Sequence, residues 1–149
     1  MAVRFALLAL VALALSACSP NGGAADWTLE DISVTEVHFD EGGDLDAPSI
    51  RGIIENHTDV IVNQAELYAV FLDADSTVVD RPYTTVPGVL PHEPARFSVL
   101  VPIPLQMSGE PFQWRLTHVA VQVNDRWYRI PIADTLRSGA LRPLISPGL

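Results

Sequence analysis

The sequence contains no lysine, so all nine of its basic residues are arginines, and they stand against 18 acidic residues and a formal net charge of −9. This imbalance argues against nucleic acid as a partner, because phosphates need cationic side chains, and against charge-driven binding of anionic headgroups. There is also only one cysteine. No disulfide can therefore form within the chain, and the fold must depend on packing.

A recognisable catalytic or metal-binding signature is also missing. The four histidines are scattered, and no two have the spacing of a zinc site. His57 and Asp59 flank one predicted turn, and a histidine–carboxylate pair can orient a base. No serine stands in a nucleophile-elbow context, however. We therefore predict no catalytic residue, no cofactor and no enzymatic activity.

Residues 1–17 have the three parts of a secretory signal peptide. Arg4 supplies the positive charge, residues 5–15 are uninterruptedly apolar, and Ser16 and Ala17 are small enough for a peptidase pocket. The apolar run would span about 16 Å as a helix at about 1.5 Å per residue. That is short of the ~30 Å hydrocarbon core of a bilayer, so we predict cleavage rather than a transmembrane helix.

The tetrapeptide Leu15, Ser16, Ala17, Cys18 resembles the bacterial lipobox, in which a branched apolar residue and two small residues precede a cysteine. The resemblance implies that Cys18 is the lipid attachment site and becomes the acylated N-terminus of an envelope lipoprotein. Two or more acyl chains anchor a protein firmly, at ~0.8 kcal/mol per buried CH₂. By the same resemblance, Ser19 implies the periplasmic face of an outer membrane. The alternative is an ordinary signal peptide with an incidental cysteine.

Beyond the signal, the sequence predicts a linker, one domain and a tail. Residues 18–26 comprise the lipidated cysteine and a flexible linker rich in Gly, Ala and Pro. The eight residues after Cys18 reach at most ~28 Å, which would hold the domain close to the membrane. Residues 27–133 are predicted to form the domain, and residues 134–149 a C-terminal tail with at most one short helical turn.

The domain is predicted to be all-β. Alternating apolar and polar residues separated by turn signals favour seven or eight short strands in an antiparallel β-sandwich. Residues 60–73 are apolar on both faces, which is typical of a central strand. Prolines limit residues 82–94 to short edge segments and loops. The strands are predicted in residues 27–39, 49–55, 60–73, 77–80, 96–103, 113–123 and 126–132.

Three stretches resemble the FxLYD-type domains of bacterial envelope lipoproteins. They are the strand end at residues 52–56 (GIIEN), the strand and turn at residues 67–75 (LYAVFLDAD), and the loop at residues 90–97 (LPHEPARF). Leu72 stands where the family has tyrosine before the aspartate. The resemblance covers about half of the chain and implies an immunoglobulin-like sandwich without an assigned activity.

The acidic loop, residues 40–46, is the candidate metal site. Asp40, Glu41, Asp44 and Asp46 supply hard oxygen ligands, and the two glycines between them allow the bend that a Ca²⁺ site needs. The spacing does not match an EF-hand, so a solvated hairpin loop is the alternative. This loop carries the second functional hypothesis, that of a small-ligand or Ca²⁺ binding lipoprotein.

The last predicted hairpin is the candidate interaction site. It contains Trp114, Arg115, Arg126, Trp127 and Arg129, and tryptophan and arginine are enriched at protein-binding hot spots. Aromatic residues in strands are also common core residues, so burial is the alternative. The first functional hypothesis is therefore a membrane-anchored envelope lipoprotein whose sandwich is a non-enzymatic protein-binding or scaffold module, with an envelope protein as its partner.

Overall fold

Two antiparallel β-sheets form the sandwich in residues 29–141, the part of the chain that the computed structural model describes. The predicted all-β sandwich of the immunoglobulin-like type is confirmed. The signal peptide, Cys18, the linker and residues 142–149 lie outside the described residues. After a short 3₁₀ turn, the elements are β1 (Ile32–Asp40), β2 (Ser49–Asn56), β3 (Val62–Leu72), β4 (Val78–Asp80), β5 (Tyr83–Val89), β6 (Pro94–Leu100), α1 (Ile103–Ser108), β7 (Phe112–Val123), β8 (Arg126–Pro131) and β9 (Arg137–Gly139).

The sheets differ in size. The smaller has three strands in the order β1–β2–β6, and the larger has six, with β4 and β5 both paired to β3, and β8 and β9 both paired to β7. The centre of the larger sheet is the long β3–β7 pair, whose register runs from Gln64 opposite Gln122 to Leu72 opposite Gln113. The prediction that residues 60–73 contain a central strand is thus confirmed.

The core lies between the sheets, where alternate residues of each strand point inward. Leu67 and Phe71 of β3 and Ile50 and Ile54 of β2 have no exposed surface. Burial of one such side chain contributes about 1.5–3 kcal/mol. Because period-two alternation puts every second residue on the other side, each sheet also presents an outer face, the one turned away from the core.

Two residues of the FxLYD-like stretch have structural roles in the smaller sheet and its neighbouring turn. A Cβ on Gly52 would lie 2.6 Å from Cζ of Phe97, so only glycine fits beneath that ring. Asn56 is fully buried. Its Nδ2 donates to the carbonyls of Val60 (2.7 Å) and Val89 (3.1 Å), and its Oδ1 accepts from the Thr58 hydroxyl (2.6 Å).

The predicted boundary at residue 133 is wrong, because the sandwich continues through Gly139. Strand β9 pairs with β7, with Gly139 opposite Phe112. Arg137 donates to the carbonyl of Val37 (2.6 Å) and to Asp134 (2.9 Å), which ties this strand to β1 in the other sheet. A three-residue strand is too short for its alternation to be read from the sequence. The segment 104–111, predicted as a loop, also begins with helix α1.

The strands run between two ends of the sandwich. One end, the Asp31 end, contains the turns around Asp31, His57 and His92. There the amide of His57 donates to the carbonyl of Asp31 (2.8 Å), and the amide of His92 donates to the carbonyl of Asn56 (2.7 Å). The opposite end, the α1 end, contains loop 41–48 and helix α1. With nine residues in β1, the two ends are separated by about 30 Å at about 3.3 Å per residue. No helix within residues 29–141 has the length and apolar character to cross a membrane.

Candidate functional site

Three aromatic rings stack side by side on the outer face of the larger sheet. The register places Tyr68 of β3 opposite Tyr83 of β5 and opposite His118 of β7. The ring centroids of Tyr68 and Tyr83 are 5.1 Å apart at 22°, and those of Tyr68 and His118 are 4.3 Å apart at 12°. We call Tyr83, Tyr68 and His118 the ring ladder.

The ring ladder is exposed at one side and fixed at the other. Tyr83 is 57% exposed, whereas Tyr68 and His118 are half-buried. Each stacked pair contributes about 0.5–1.5 kcal/mol beyond its buried area. Both flat faces of Tyr68 are covered by neighbouring rings, so Tyr68 offers only its ring edge and hydroxyl to solvent, whereas Tyr83 is stacked on one side and largely exposed.

Glu66 fixes the hydroxyl end of Tyr68. The Tyr68 hydroxyl donates to Oε2 of Glu66 (2.6 Å), and Nε2 of Gln64 donates to Oε1 of the same carboxylate (3.2 Å). The hydrogen bond to Glu66, with burial and the carboxylate charge, raises the pKa of Tyr68 above its ordinary value. Tyr68 is therefore a neutral donor at physiological pH, and both oxygens of Glu66 are engaged within the face.

His118 links the ladder to an arginine. Its Nδ1 lies 2.9 Å from Oγ1 of Thr117 and 3.4 Å from Nη2 of Arg129. A guanidinium can only donate, so Nδ1 accepts from Arg129 in the tautomer that carries the ring proton on Nε2. Burial first, and the charge of Arg129 second, lower the pKa of His118. His118 is therefore neutral at pH 7.

Three members of the predicted hairpin site lie on the outer face of the larger sheet. Arg115, Trp127 and Arg129 occupy outer-face positions, opposite Val70, Gln122 and Ala120 respectively. Trp127 is 48% exposed. These three residues and the ring ladder share one face.

Two members of the predicted hairpin site lie elsewhere. Trp114 is 1% exposed and belongs to the core. A bulge explains this: Tyr68 pairs with His118 but Ala69 pairs with Leu116, so Thr117 is an extra residue that shifts the alternation. Arg126 is exposed, but it lies opposite the inward-facing Val123 at the hairpin tip.

The ring ladder was not predicted from the sequence. Its signal was the run Gln64, Glu66, Tyr68, which puts polar atoms on one side of an otherwise apolar strand. That pattern identifies an outer face, but only the register of three strands brings Tyr83 and His118 next to Tyr68.

The charges of this face are unbalanced. Its outward charged residues on β3, β7 and β8 are Glu66, Arg115 and Arg129. Among residues 29–141, neither arginine forms an ion pair with a carboxylate, whereas Arg51 and Arg137 do. The face is therefore locally basic on a chain whose net charge is −9.

The acidic loop does not assemble a metal site within the described residues. Oδ2 of Asp40 lies 3.0 Å from Nη1 of Arg51, and Oδ2 of Asp46 lies 3.8 Å from Nη2 of the same side chain. The guanidinium thus lies where a metal ion bound by these two carboxylates would have to lie. In residues 29–141, no group of three or more His, Cys, Asp or Glu side chains could hold a metal ion. Glu41 and Asp44 line an open groove of about 700 Å³ that also includes Leu141.

The histidines at the Asp31 end form two separate contacts. Asp59 contacts His92, with 2.8 Å between Oδ1 and Nε2. The predicted turn had instead indicated a contact between Asp59 and His57. Nε2 of His57 lies 3.0 Å from Oγ of Ser33 and 3.5 Å from Oε2 of Glu55. A catalytic triad needs the carboxylate on the other ring nitrogen, so this cluster lacks the orienting contact of a general base.

No protein-family model matches the chain, and no curated protein matches it. Among solved structures, the chain is similar to an Arabidopsis thaliana protein determined in solution (17% identity, TM-score 0.45, covering 74% of this chain and 80% of that one). It is also similar to a crystallised Archaeoglobus fulgidus protein (15% identity, TM-score 0.43, covering 75% and 98%). A Parabacteroides merdae β-glucuronidase matches with 15% identity, TM-score 0.36 and coverage of 75% and 14%. Likenesses this distant carry no argument about function.

Proposed function

We propose that this chain is a lipid-anchored envelope protein that binds another protein through the outer face of its larger sheet. The observation that carries the proposal is the ring ladder, a rigid aromatic stack that shares its face with Trp127, Arg115 and Arg129. Tyrosine, tryptophan and arginine are the residues enriched at binding hot spots. Side chains already held in place lose little entropy on binding.

The lipid anchor at Cys18 rests on the lipobox resemblance. The linker would join the domain at its Asp31 end, so this end would lie nearest the membrane. The outer face runs along the strands, over the ~30 Å height of the sandwich, and faces sideways. A partner that stands on the same membrane could therefore reach it.

The FxLYD resemblance belongs to the same proposal. Gly52 and Asn56 of the matching stretch have packing and hydrogen-bonding roles in this sandwich, which is what a structural motif requires. Such a motif carries no chemistry, in agreement with a binding module.

Photo-crosslinking in cells tests the binding face. A photoreactive phenylalanine analogue is introduced in place of Tyr83, which is exposed on the outer face, and in a second strain in place of Ser98, which is exposed on the smaller sheet. We expect one dominant protein adduct at position 83 and none at position 98. Equal adducts at both positions, or none at either, would overturn the proposed face.

The anchor is tested separately with Cys18→Ala. Labelled palmitate should enter the wild-type protein and not the variant. Unchanged label on the variant would refute lipidation at Cys18. Crosslinking at position 83 has its own readout, so the two parts of the proposal can fail independently.

One observation favours the second candidate function, small-ligand or Ca²⁺ binding. This is the open groove of about 700 Å³ beside loop 41–48. The ion pairs of Arg51 with Asp40 and Asp46 oppose the Ca²⁺ form of this function. A ligand that binds only the folded state raises the melting temperature, so a rise with millimolar Ca²⁺ would support the Ca²⁺ form and an unchanged melt would exclude that form.

A further inference from the structure

We infer that the partner segment bound by the outer face is acidic: a stretch of protein whose carboxylates engage Arg115 and Arg129 while its apolar groups cover the ring ladder. This inference rests on the proposed protein-binding function and adds the chemistry of the partner.

The first argument is charge complementarity. Arg115 and Arg129 have no carboxylate partner among the described residues, and Glu66, which lies across Ala120 from Arg129 on the same face, already accepts from Tyr68 and Gln64. Guanidinium groups bind carboxylates through paired hydrogen bonds in a fixed plane. A carboxylate from outside therefore meets two available donors and little competition within the face.

The second argument is that Arg129 is held in position. Its Nη2 contacts Nδ1 of His118, whose ring is stacked on Tyr68. The guanidinium is thereby oriented at the edge of the ladder, although no acidic side chain draws it there. An oriented, unpaired arginine beside aromatic rings is the arrangement found at hot spots that meet a charged partner.

The third argument separates protein from other polyanions. Sugars stack on an open ring face, but both faces of Tyr68 are covered, by Tyr83 and by His118. The exposed rings of Tyr83 and Trp127 remain open to a sugar as well as to backbone and aliphatic groups, so a carboxylated glycan is included among the probes. Nucleic acid requires several phosphate contacts, and the net charge of −9 works against it.

The chain supplies a matched control. Arg96 of β6 is exposed on the outer side of the smaller sheet, and no ion pair of Arg96 occurs within residues 29–141. Its neighbours on that face of β6 are Ser98 and Leu100, with no aromatic ring among them. A loss of binding caused by charge alone would also appear at Arg96, where removing one charge instead of two would give about half of the loss in binding free energy.

The experiment uses the full-length lipidated protein in detergent and three probes: a glutamate-rich copolymer with tyrosine, polylysine, and hyaluronan, a carboxylated glycan. We expect the protein to bind the acidic copolymer and not hyaluronan. Polylysine, which a chain with a net charge of −9 attracts at other surfaces, is the control whose binding the arginine variants should not weaken. Arg115→Gln with Arg129→Gln should weaken this binding roughly tenfold or more, whereas Arg96→Gln should leave it within about twofold. Arg115→Lys with Arg129→Lys should recover part of the affinity, since the charge but not the fork is kept.

Three results would overturn the inference: tighter binding of hyaluronan than of the copolymer, a loss of copolymer binding of about threefold or more in the Arg96 variant, or no copolymer binding. The crosslinked partner gives the deciding control. If its segment attached at position 83 is neutral or basic, the acidic-partner inference fails and the proposed function stands. If position 83 yields no adduct in cells, the proposed function itself fails.

Discussion

The outer faces of the two sheets use their charged side chains in different ways. On the smaller sheet, Arg51 pairs with Asp40 at 3.0 Å, and Glu55 accepts a hydrogen bond from Ser33 at 3.4 Å. On the larger sheet, Arg115 and Arg129 have no carboxylate partner within residues 29–141. On the smaller sheet Arg51 is paired with carboxylates and Arg96 is not, whereas both outward arginines of β7 and β8 in the larger sheet are available to a partner.

The faces also differ in stiffness. Strand β6 presents Arg96, Ser98 and Leu100, which are separate exposed side chains. The larger sheet presents rings that fix one another, with Tyr68 and His118 only 4.3 Å apart. Immobilising a free side chain at an interface costs about 0.5–1.5 kcal/mol, so the stacked face is better prepared for binding. The difference indicates that recognition is concentrated on one side of the sandwich.

The largest expected effect is a difference in the free energy of unfolding between two variants of the larger sheet, one at the core residue Trp114 and one at the outer-face residue Trp127. Trp114→Ala should lower the free energy of unfolding by about 3–5 kcal/mol, because it empties a core position and removes the ring beneath Arg137. Trp127→Ala should change it by no more than about 0.5 kcal/mol. Urea denaturation of both variants measures the difference, and similar losses would contradict the shifted alternation at Thr117.

The next effect tests whether the smaller sheet is constrained by internal packing. Gly52→Ala should cost about 1–3 kcal/mol through overpacking, because its Cβ would lie 2.6 Å from the Phe97 ring. Gly43→Ala is the control, since nothing lies within 4 Å of the Cβ that it would add. Equal melting temperatures for the two variants would show that the Phe97 ring moves aside freely.

A smaller effect measures the coupling within the ring ladder. In a double-mutant cycle with Tyr68→Ala and His118→Ala, the interaction free energy should be about 0.5–1.5 kcal/mol, the value of a stacked aromatic pair. The corresponding cycle with Arg51→Ala and Ser98→Ala, which are opposite each other on the smaller sheet, should give about 0.2 kcal/mol or less. A coupling near zero for Tyr68 and His118 would mean that the larger sheet has no pre-organised face.

The sequence was sufficient to predict the elements whose pattern is local. The apolar run of β3 predicted a central strand because a strand buried on both sides must be apolar on both sides. The sequence was insufficient wherever the orientation of a side chain, or the existence of a strand, depends on pairing with a neighbouring strand. Counting by two from Val119 places Trp114 outside, and only the pairing with β3 reveals the bulge at Thr117 that moves it inside. Likewise β9 is a strand because β7 lies beside it.

The part of the candidate site that the sequence could predict is the part formed by charged residues. Arg115 and Arg129 were expected on a surface because charged side chains are rarely buried. The ring ladder combines β3, β5 and β7, and the sequence separates Tyr68 from His118 by fifty positions. Its members meet through strand register, which depends on the packing of both sheets and on the bulge.

The smallest expected effect concerns pH and the larger sheet alone. Burial, and then Arg129, lower the pKa of His118 below its ordinary value of 6.5. The folded protein therefore binds fewer protons there than the unfolded chain once the pH falls below about 6.5, and the linkage relation makes stability decrease with falling pH in that window. Above it, both states are neutral at this position and the effect vanishes.

Arg129→Gln should raise the pKa of His118 without restoring it, since burial, the larger cause, remains. Arg96→Gln, on the other sheet, should leave it unchanged. Titration of the His118 ring proton by NMR in the three proteins measures both shifts. If removing Arg129 leaves the titration unmoved, the guanidinium is not held at Nδ1 of His118 in solution. The larger sheet would then present its arginines as freely as the smaller sheet presents Arg96, and the contrast between the faces would reduce to the stacked rings.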